Sequence, residues 1–383
     1  MKQKVIVVGG GIIGTSVAYY LTKKDIEVIL FEAKDIAAGS SGSCDRAIML
    51  QSKKPGPNLD LALKSAEMYK TLELELEEDL EYHKGGGMIL IENEFEFNVI
   101  KEMVERQNQA GLNVSIISGD EARKKIPALS KKIIAATWWE EDAEISPMGT
   151  AFAFAKAAQK NNATIKLNCE VQSLVIKNGR IIGVKAADEI FYADSVVVCT
   201  GVWTKKILET INIDVPIIPR KGQILVTERL PQIIDCNILS GSYIASKLQK
   251  TNGDPYGIGL AIGQTQSGTL LIGGSREFAG FDSSTNSQVI REIAKRAVNT
   301  FPFLKNVNLI RTFSGFRPFT PDNLPILSEV PSVDGLFIAA GHEGDGIALA
   351  PITGKIMTEM VSRQNIDINL DAFKIDRFSK VNV

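Results

Sequence analysis

Two histidines and four cysteines in 383 residues leave this chain short of the side chains that hold metals. Cys44, Cys169, Cys199 and Cys236 lie far apart with no C-x-x-C spacing, so neither a zinc site nor an iron–sulfur cluster is expected. An excess of either charge is also missing: 43 Lys and Arg face 45 Asp and Glu, a net charge of −2, which argues against nucleic acid or an anionic lipid surface as partner. No apolar run approaches the roughly 18 residues a membrane-spanning helix requires. The N-terminal apolar segment is interrupted by Gly9, Gly10 and Gly11 and lacks a small-residue cleavage site, so it reads as a first strand and not as a signal peptide. A cytoplasmic protein with reduced thiols is the expected setting, with peripheral membrane association left open.

What is present is ordinary for a globular chain, with 44% apolar and 23% charged residues over a length that suits about two domains. Three sections alternate buried β runs with helical patterns, as parallel sheets do: "KVIVVGGGIIGTSVAYYLTKKDIEVILFEA", the region from "AFAFAKAAQ" to "ADSVVVCTGVWTKKIL", and "GLFIAAGHEGDGIALAPITGKIMTEMVSR". In the last of these Pro351 must kink the helix or sit in its first turns. Between them "GGGMILIENEFEF", "LNVSIIS", "IAATWWEED", "GQILVTE" and "GTLLIGGSRE" alternate more and read as antiparallel strands. The fold class is therefore α/β: a Rossmann-like nucleotide-binding domain, expected over 1–85, 146–218 and 306–383, with an inserted α+β substrate domain on an antiparallel sheet over 86–145 and 219–305.

Gly9-x-Gly11-x-x-Gly14 follows a predicted strand and opens a predicted helix, and Glu32 closes the next strand. Glycine there permits the tight turn and close approach of a pyrophosphate, the helix start favours phosphate charge, and the acid suits ribose hydroxyls. These features alone fit NAD or FAD. The glycine–serine loop "AAGSSGSCDRAI" offers Ser40, Ser41 and backbone N–H groups to a second face of the pyrophosphate or to a ring system, which favours FAD over NAD; alternatively it is a surface loop.

Over nearly its full length the chain resembles the FAD-dependent amine and amino-acid oxidoreductases of the D-amino-acid oxidase superfamily. The resemblance runs through "VIVVGGGIIGTSVAYYL", "VVVCTGVWTKKI", "RKGQILVTE", "SGTLLIGGSREFAGFD", "GFRPFTPDNLPIL" and "LFIAAGHEGDGIALAPITGKIM", and is nearest to the β subunits of opine, hydroxyproline and proline dehydrogenases. It implies that Ile12, Ile13 and Ala33 join the fingerprint and Glu32 around FAD, with Val171, Thr200, Gly201 and Trp203 along the adenine and pyrophosphate half. It implies that Gly341, His342, Gly344, Gly346 and Ile347 lie at the ring, where N–H groups at a helix start stabilise charge on the reduced flavin. It implies noncovalent FAD, because no cysteine lies near "GFRPF".

In the same family the arginine of G-x-R-P grips the carboxylate of the amino acid, and Arg317 occupies that place. A guanidinium among Phe316, Pro318 and Phe319 needs a partner, which is either such a substrate or a permanent acid such as Asp322. His342 is the other catalytic candidate, as a positioning group, while His83 reads as a loop residue. Arg46 either binds a second carboxylate or pairs with Asp45. Tyr243 and Tyr256 are candidates for the substrate pocket, and Glu277 has no role derivable from the sequence. Glu343 and Asp345 stand where relatives often carry neutral or basic residues, and read as helix caps or as contacts to a cationic substrate or partner.

The implied function is FAD-dependent oxidation of the C–N bond of a small amino acid of proline, hydroxyproline, sarcosine or opine type, by hydride transfer to flavin N5. The family's oxygen-activating lysine falls on a strand matching "GTLLIGG", which has no lysine, so electrons are expected to pass to a partner or other acceptor; the resemblance to multisubunit dehydrogenases implies a second flavoprotein subunit and a separate iron–sulfur subunit. The alternatives are an oxygen-using glycine or sarcosine oxidase, or a flavin-bearing subunit without a substrate of its own.

Overall fold

The run KVIVV forms the strand Lys4–Val8, which the computed structural model, describing residues 2–244 and 256–378, places inside a six-stranded sheet. The order is Ile326–Glu329, Leu336–Ala340, Ser195–Val198, Lys4–Val8, Glu27–Phe31 and Thr164–Lys166, all parallel except the first. Its two faces are covered by different layers. Val5 and Val7 pack into a core with the helices Ile12–Thr22, Pro147–Lys160 and Gly346–Val361, while Ile6 and Val8 pack against an antiparallel meander spanning Val171–Tyr192. That double coverage is why the strand is apolar at consecutive positions instead of alternating.

Pro351 lies inside the helix Gly346–Val361, where it removes the N–H that would bond to the carbonyl of Ile347. The freed carbonyl accepts instead from the hydroxyl of Tyr69, at 2.5 Å, on the helix Pro57–Leu76. The first turns of the helix, which face the site, are thereby tied to a second helix.

A second sheet has eight strands, in the order Leu309–Phe319, Ile218–Thr227, Leu270–Gly273, Ala261–Gln264, Asn237–Ser240, Gly87–Ile91, Ala135–Trp138 and Ser115–Ser118. Neighbours are antiparallel except Asn237–Ser240 with Gly87–Ile91. The helix Ser287–Thr300 lays Val289, Ile293 and Ala297, spaced one turn apart, into the core beneath it. One boundary differs from expectation: Leu309–Phe319, placed by the sequence with the nucleotide-binding part that resumes at 306, pairs along its length with Ile218–Thr227 in this sheet. The strand that carries Arg317 thus runs from the second sheet into the nucleotide-binding side. No helix among the described residues is long and apolar enough to cross a membrane, and none of their His, Cys, Asp and Glu side chains cluster as a metal site.

Candidate active site

The fingerprint turn begins at Gly9, and its tightness is visible at Gly14, where an added Cβ would sit 1.9 Å from the carbonyl oxygen of Gly9. The helix that follows has no side-chain cap at Gly11, which leaves first-turn N–H groups directed outward; Ile12 N–H donates to Ser41 Oγ at 3.0 Å. Glu32 is held by the backbone, its two carboxylate oxygens accepting from Gly10 N–H at 2.7 Å and Lys34 N–H at 2.8 Å. The acid therefore stands beside the glycine turn, and among the described residues no side-chain cation forms an ion pair with it.

From this end one continuous cavity of about 480 Å³ extends to Arg317. Gly9, Gly11, Ile12, Ile13, Glu32, Ala33, Ser40, Ser41, Val171, Thr200, Gly201, Trp203, Tyr243, Arg317, His342, Gly344, Gly346 and Ile347 all line it. The dimensions and chemistry fit a dinucleotide: an acid for ribose at one end, an uncapped helix start in the middle, and cations with apolar walls at the other. The glycine–serine loop joins the two ends, since Ser40 Oγ donates to the carbonyl of Phe316. Four expected residues do not line the cavity. Gly14 packs helix against strand, Gly341 lies against Thr320, Tyr256 packs in the core under the eight-stranded sheet, and Arg46 points elsewhere.

Arg46 pairs with Glu81 at 2.7 Å and approaches Glu144 at 3.9 Å, so neither the expected second carboxylate nor Asp45 is its counterion. Asp322 likewise does not satisfy Arg317; it binds Arg377 at 2.7 Å. Arg317 donates from Nη1 to the carbonyl of Ser275 at 2.9 Å, and no acid among the described residues forms an ion pair with it. Its fork lies across Gly222 on the adjacent strand, where a Cβ would come within 2.4 Å of Nη1. Any larger residue at 222 would displace the guanidinium.

Arg317 is directly opposite Arg220 in the antiparallel ladder, an arrangement in which like charges repel. The compensation comes from the loop before the last helix: Glu343 makes a buried ion pair with Arg220 and lies 3.9 Å from Arg276. Asp345 accepts from Lys53 and from Asn58 Nδ2, the latter at 2.7 Å. Although Asp345 is the N-cap residue of Gly346–Val361, its side chain makes no cap hydrogen bond. The acids read as helix caps are therefore counterions to cations at the Arg317 end of the cavity. Sequence reasoning missed three cavity-lining groups there: Asp45, Lys53 and Arg276. Burial raises the Asp45 carboxyl above its usual range, opposed chiefly by Arg317. The signal for Arg276 was its place in "GGSRE", one residue from the Glu277 that drew notice. Glu277 is a brace, accepting from Gln223 Nε2 at 2.8 Å and from Ser275 Oγ at 2.5 Å.

His342 is buried, with Nε2 at 3.1 Å from Thr353 Oγ1, and burial pushes its pKa down to about 4. At neutral pH the ring is uncharged, so it positions neighbours and presents no cation to a carboxylate. Because the unfolded ring titrates near 6.5, this group adds stability above that pH, lost as pH falls toward 4. The expected result is that wild type loses stability relative to His342→Gln as pH drops from 7 to 4, by about 3 kcal/mol at the end of that range. Parallel urea-unfolding midpoints for the two proteins across those pH values would contradict a neutral buried ring.

A family model described as FAD dependent oxidoreductase (DAO) matches residues 4–360. Among curated proteins, the hydrogen cyanide synthase subunit HcnC of Pseudomonas protegens is 28% identical, with 99% of this chain and 97% of that protein covered. Glycine oxidase of Bacillus licheniformis is 28% identical over 100% of this chain and 99% of its own length. Among solved structures, L-proline dehydrogenase from P. horikoshii superposes with a TM-score of 0.90 at 26% identity, covering 100% of this chain and 99% of that one.

Proposed function

This chain belongs to the DAO family of FAD-dependent oxidoreductases, and on that premise we propose that it oxidises the C–N bond of a small amino acid to the imine and passes the electrons to a partner protein. The observation that carries the reading is Arg317: a cavity-facing guanidinium with no acidic partner among the described residues. Its planar fork suits a carboxylate bidentately, and holding that group fixes the α-carbon and amine relative to the ring end of the cavity. Phe316 and Pro318 beside it exclude water, which strengthens the pair.

When bound, FAD supplies the hydride acceptor, at N5 of its ring. No side-chain base is required of the residues around it: His342 is neutral at pH 7 and tied to Thr353, so it orients its neighbours. With the amine neutral, its lone pair would form the C=N bond as the α-hydrogen leaves with its electron pair to bound FAD; the iminium would lose its N–H proton to water, and a second water would then add to the imine. Proline-like, sarcosine-like and opine-like amino acids are the substrate class. FAD would be held noncovalently, since no cysteine follows Cys236 in the chain and none lies near in sequence to the segment that carries Arg317.

The acceptor assignment rests on two features. The strand Leu270–Gly273 carries no lysine, and Lys53, which reaches the cavity from another segment, has its ammonium engaged by Asp345. An anaerobic panel of D- and L-amino acids, proline derivatives and opines, followed by flavin absorbance, tests the reading. Bleaching by at least one of them and slow recovery in air are expected. Recovery within the dead time of mixing would make it an oxidase, and no bleaching by any would leave a flavin-bearing subunit without a substrate.

A further inference from the structure

We propose that Arg276 is a second anion ligand in the active site, so that the substrate is an amino acid bearing another carboxylate besides the one held by Arg317. This rests on the assignment of Arg317 above and adds a substrate class to it. Arg46, the residue whose sequence position suggested such a role, is consumed by Glu81. Arg276 lines the same cavity as Arg317, and it is a cation with a hydrogen-bond donor left unsatisfied.

Three observations bear on this. The Nε–H of Arg276 is buried and has no hydrogen-bond partner, which is costly for a guanidinium unless a ligand completes it. Its one ion pair among the described residues is with Glu343, long at 3.9 Å, and Glu343 is engaged more closely by Arg220 and by the N–H of Gly344. The guanidinium is nonetheless held in place, lying 4.4 Å over the ring of Tyr243, which itself lines the cavity. A group that is fixed, charged and incompletely paired is preorganised for an anion.

The charges around the ring end agree. Among the described residues, Arg220, Arg276, Arg317 and Lys53 are faced there by Glu343, Asp345 and Asp45, the last with its carboxyl raised by burial. The mutual repulsion of the arginines is felt at Arg276, whose pKa is pushed down to about 10 by burial, with Arg317 and Arg220 acting in the same direction. It remains a cation at neutral pH. A ligand with two carboxylates relieves both arginines, whereas a ligand with one leaves Arg276 exposed to the same repulsion.

The test uses the FAD-loaded protein and two comparisons. Acetate, malonate and succinate are titrated while the flavin spectrum is followed, and anaerobic flavin reduction is compared for N-methylglycine and N-carboxymethylglycine, secondary amines that differ by one carboxylate. Wild type is expected to favour the dicarboxylate in each set by about 10- to 100-fold, the size of one charge-assisted contact. Arg276→Met should erase that preference by weakening malonate and succinate far more than acetate, and Arg276→Lys should keep part of it. The two wild-type comparisons stand without any variant, should Arg276→Met fold poorly. Equal affinities for mono- and dicarboxylates in wild type, or an Arg276→Met variant that weakens acetate and malonate alike, overturns the proposal while leaving Arg317 as the clamp. Failure of every carboxylate to perturb the flavin overturns both.

Discussion

Replacing Arg317 by methionine is expected to lower kcat/KM for substrate-driven flavin reduction by about 100-fold or more, the effect of removing one partner of a desolvated charge pair. Flavin content should not change, because among the described residues the side chain's hydrogen bond goes to the carbonyl of Ser275. Arg317→Lys should fall between, since an ammonium keeps the charge and loses the fork. Stability should move the other way from activity. Arg317 stands opposite Arg220 in the ladder and has no ion-pair partner among the described residues, so its removal relieves repulsion and the thermal midpoint should hold or rise. A variant that bleaches with substrate at the wild-type rate would remove Arg317 from the chemistry.

Glu343→Gln is expected to destabilise the protein by about 3–5 kcal/mol, because it strands the buried Arg220 with no counterion. The Arg220 Nε has no hydrogen-bond partner even in the intact pair, so there is little else to absorb the loss. Burial already acts to lower the Arg220 pKa, with Glu343 opposing it. A double variant, Glu343→Gln with Arg220→Met, should recover most of the stability, since exchanging a whole buried pair for apolar or neutral groups is often harmless. Unfolding midpoints of the three variants against wild type provide the check. A single-variant loss below about 1 kcal/mol would mean that the pair is solvated and that Glu343 is not the counterion of this end of the cavity.

The dinucleotide half was legible because its signals are local. Strand, glycine turn, uncapped helix start and Glu32 are consecutive in the chain, and Gly14 is demanded by an atom five residues away, the carbonyl of Gly9. The strand character of Leu309–Phe319 and the presence of an arginine among its apolar residues were legible for the same reason. The boundary at 306 was not, because a strand's sequence does not state its partner, and pairing with Ile218–Thr227 depends on segments distant along the chain.

The charged end of the site shows the limit most clearly. Asp322 and Asp45 were the natural partners for Arg317 and Arg46 by proximity in sequence, yet the ion pairs formed are with Arg377 and Glu81. Glu343 and Asp345 sit at a helix start, where propensity predicts caps, but Arg220 and Lys53 approach from a strand and a loop far away in the sequence and take their carboxylates. Charge pairing is long-ranged and chosen among all groups that folding brings near, so neighbours in sequence have no priority.

What the sequence determined by itself was the nucleotide-binding framework, the family, and one arginine set among apolar residues of a strand, since each is written in contiguous residues whose spacing the backbone reads directly. Only the tertiary structure decided which arginines are neutralised and which are left facing the cavity. That outcome depends on which acids the loop around Glu343 and Asp345 delivers, and on Gly222 leaving room for Arg317 to lie across it.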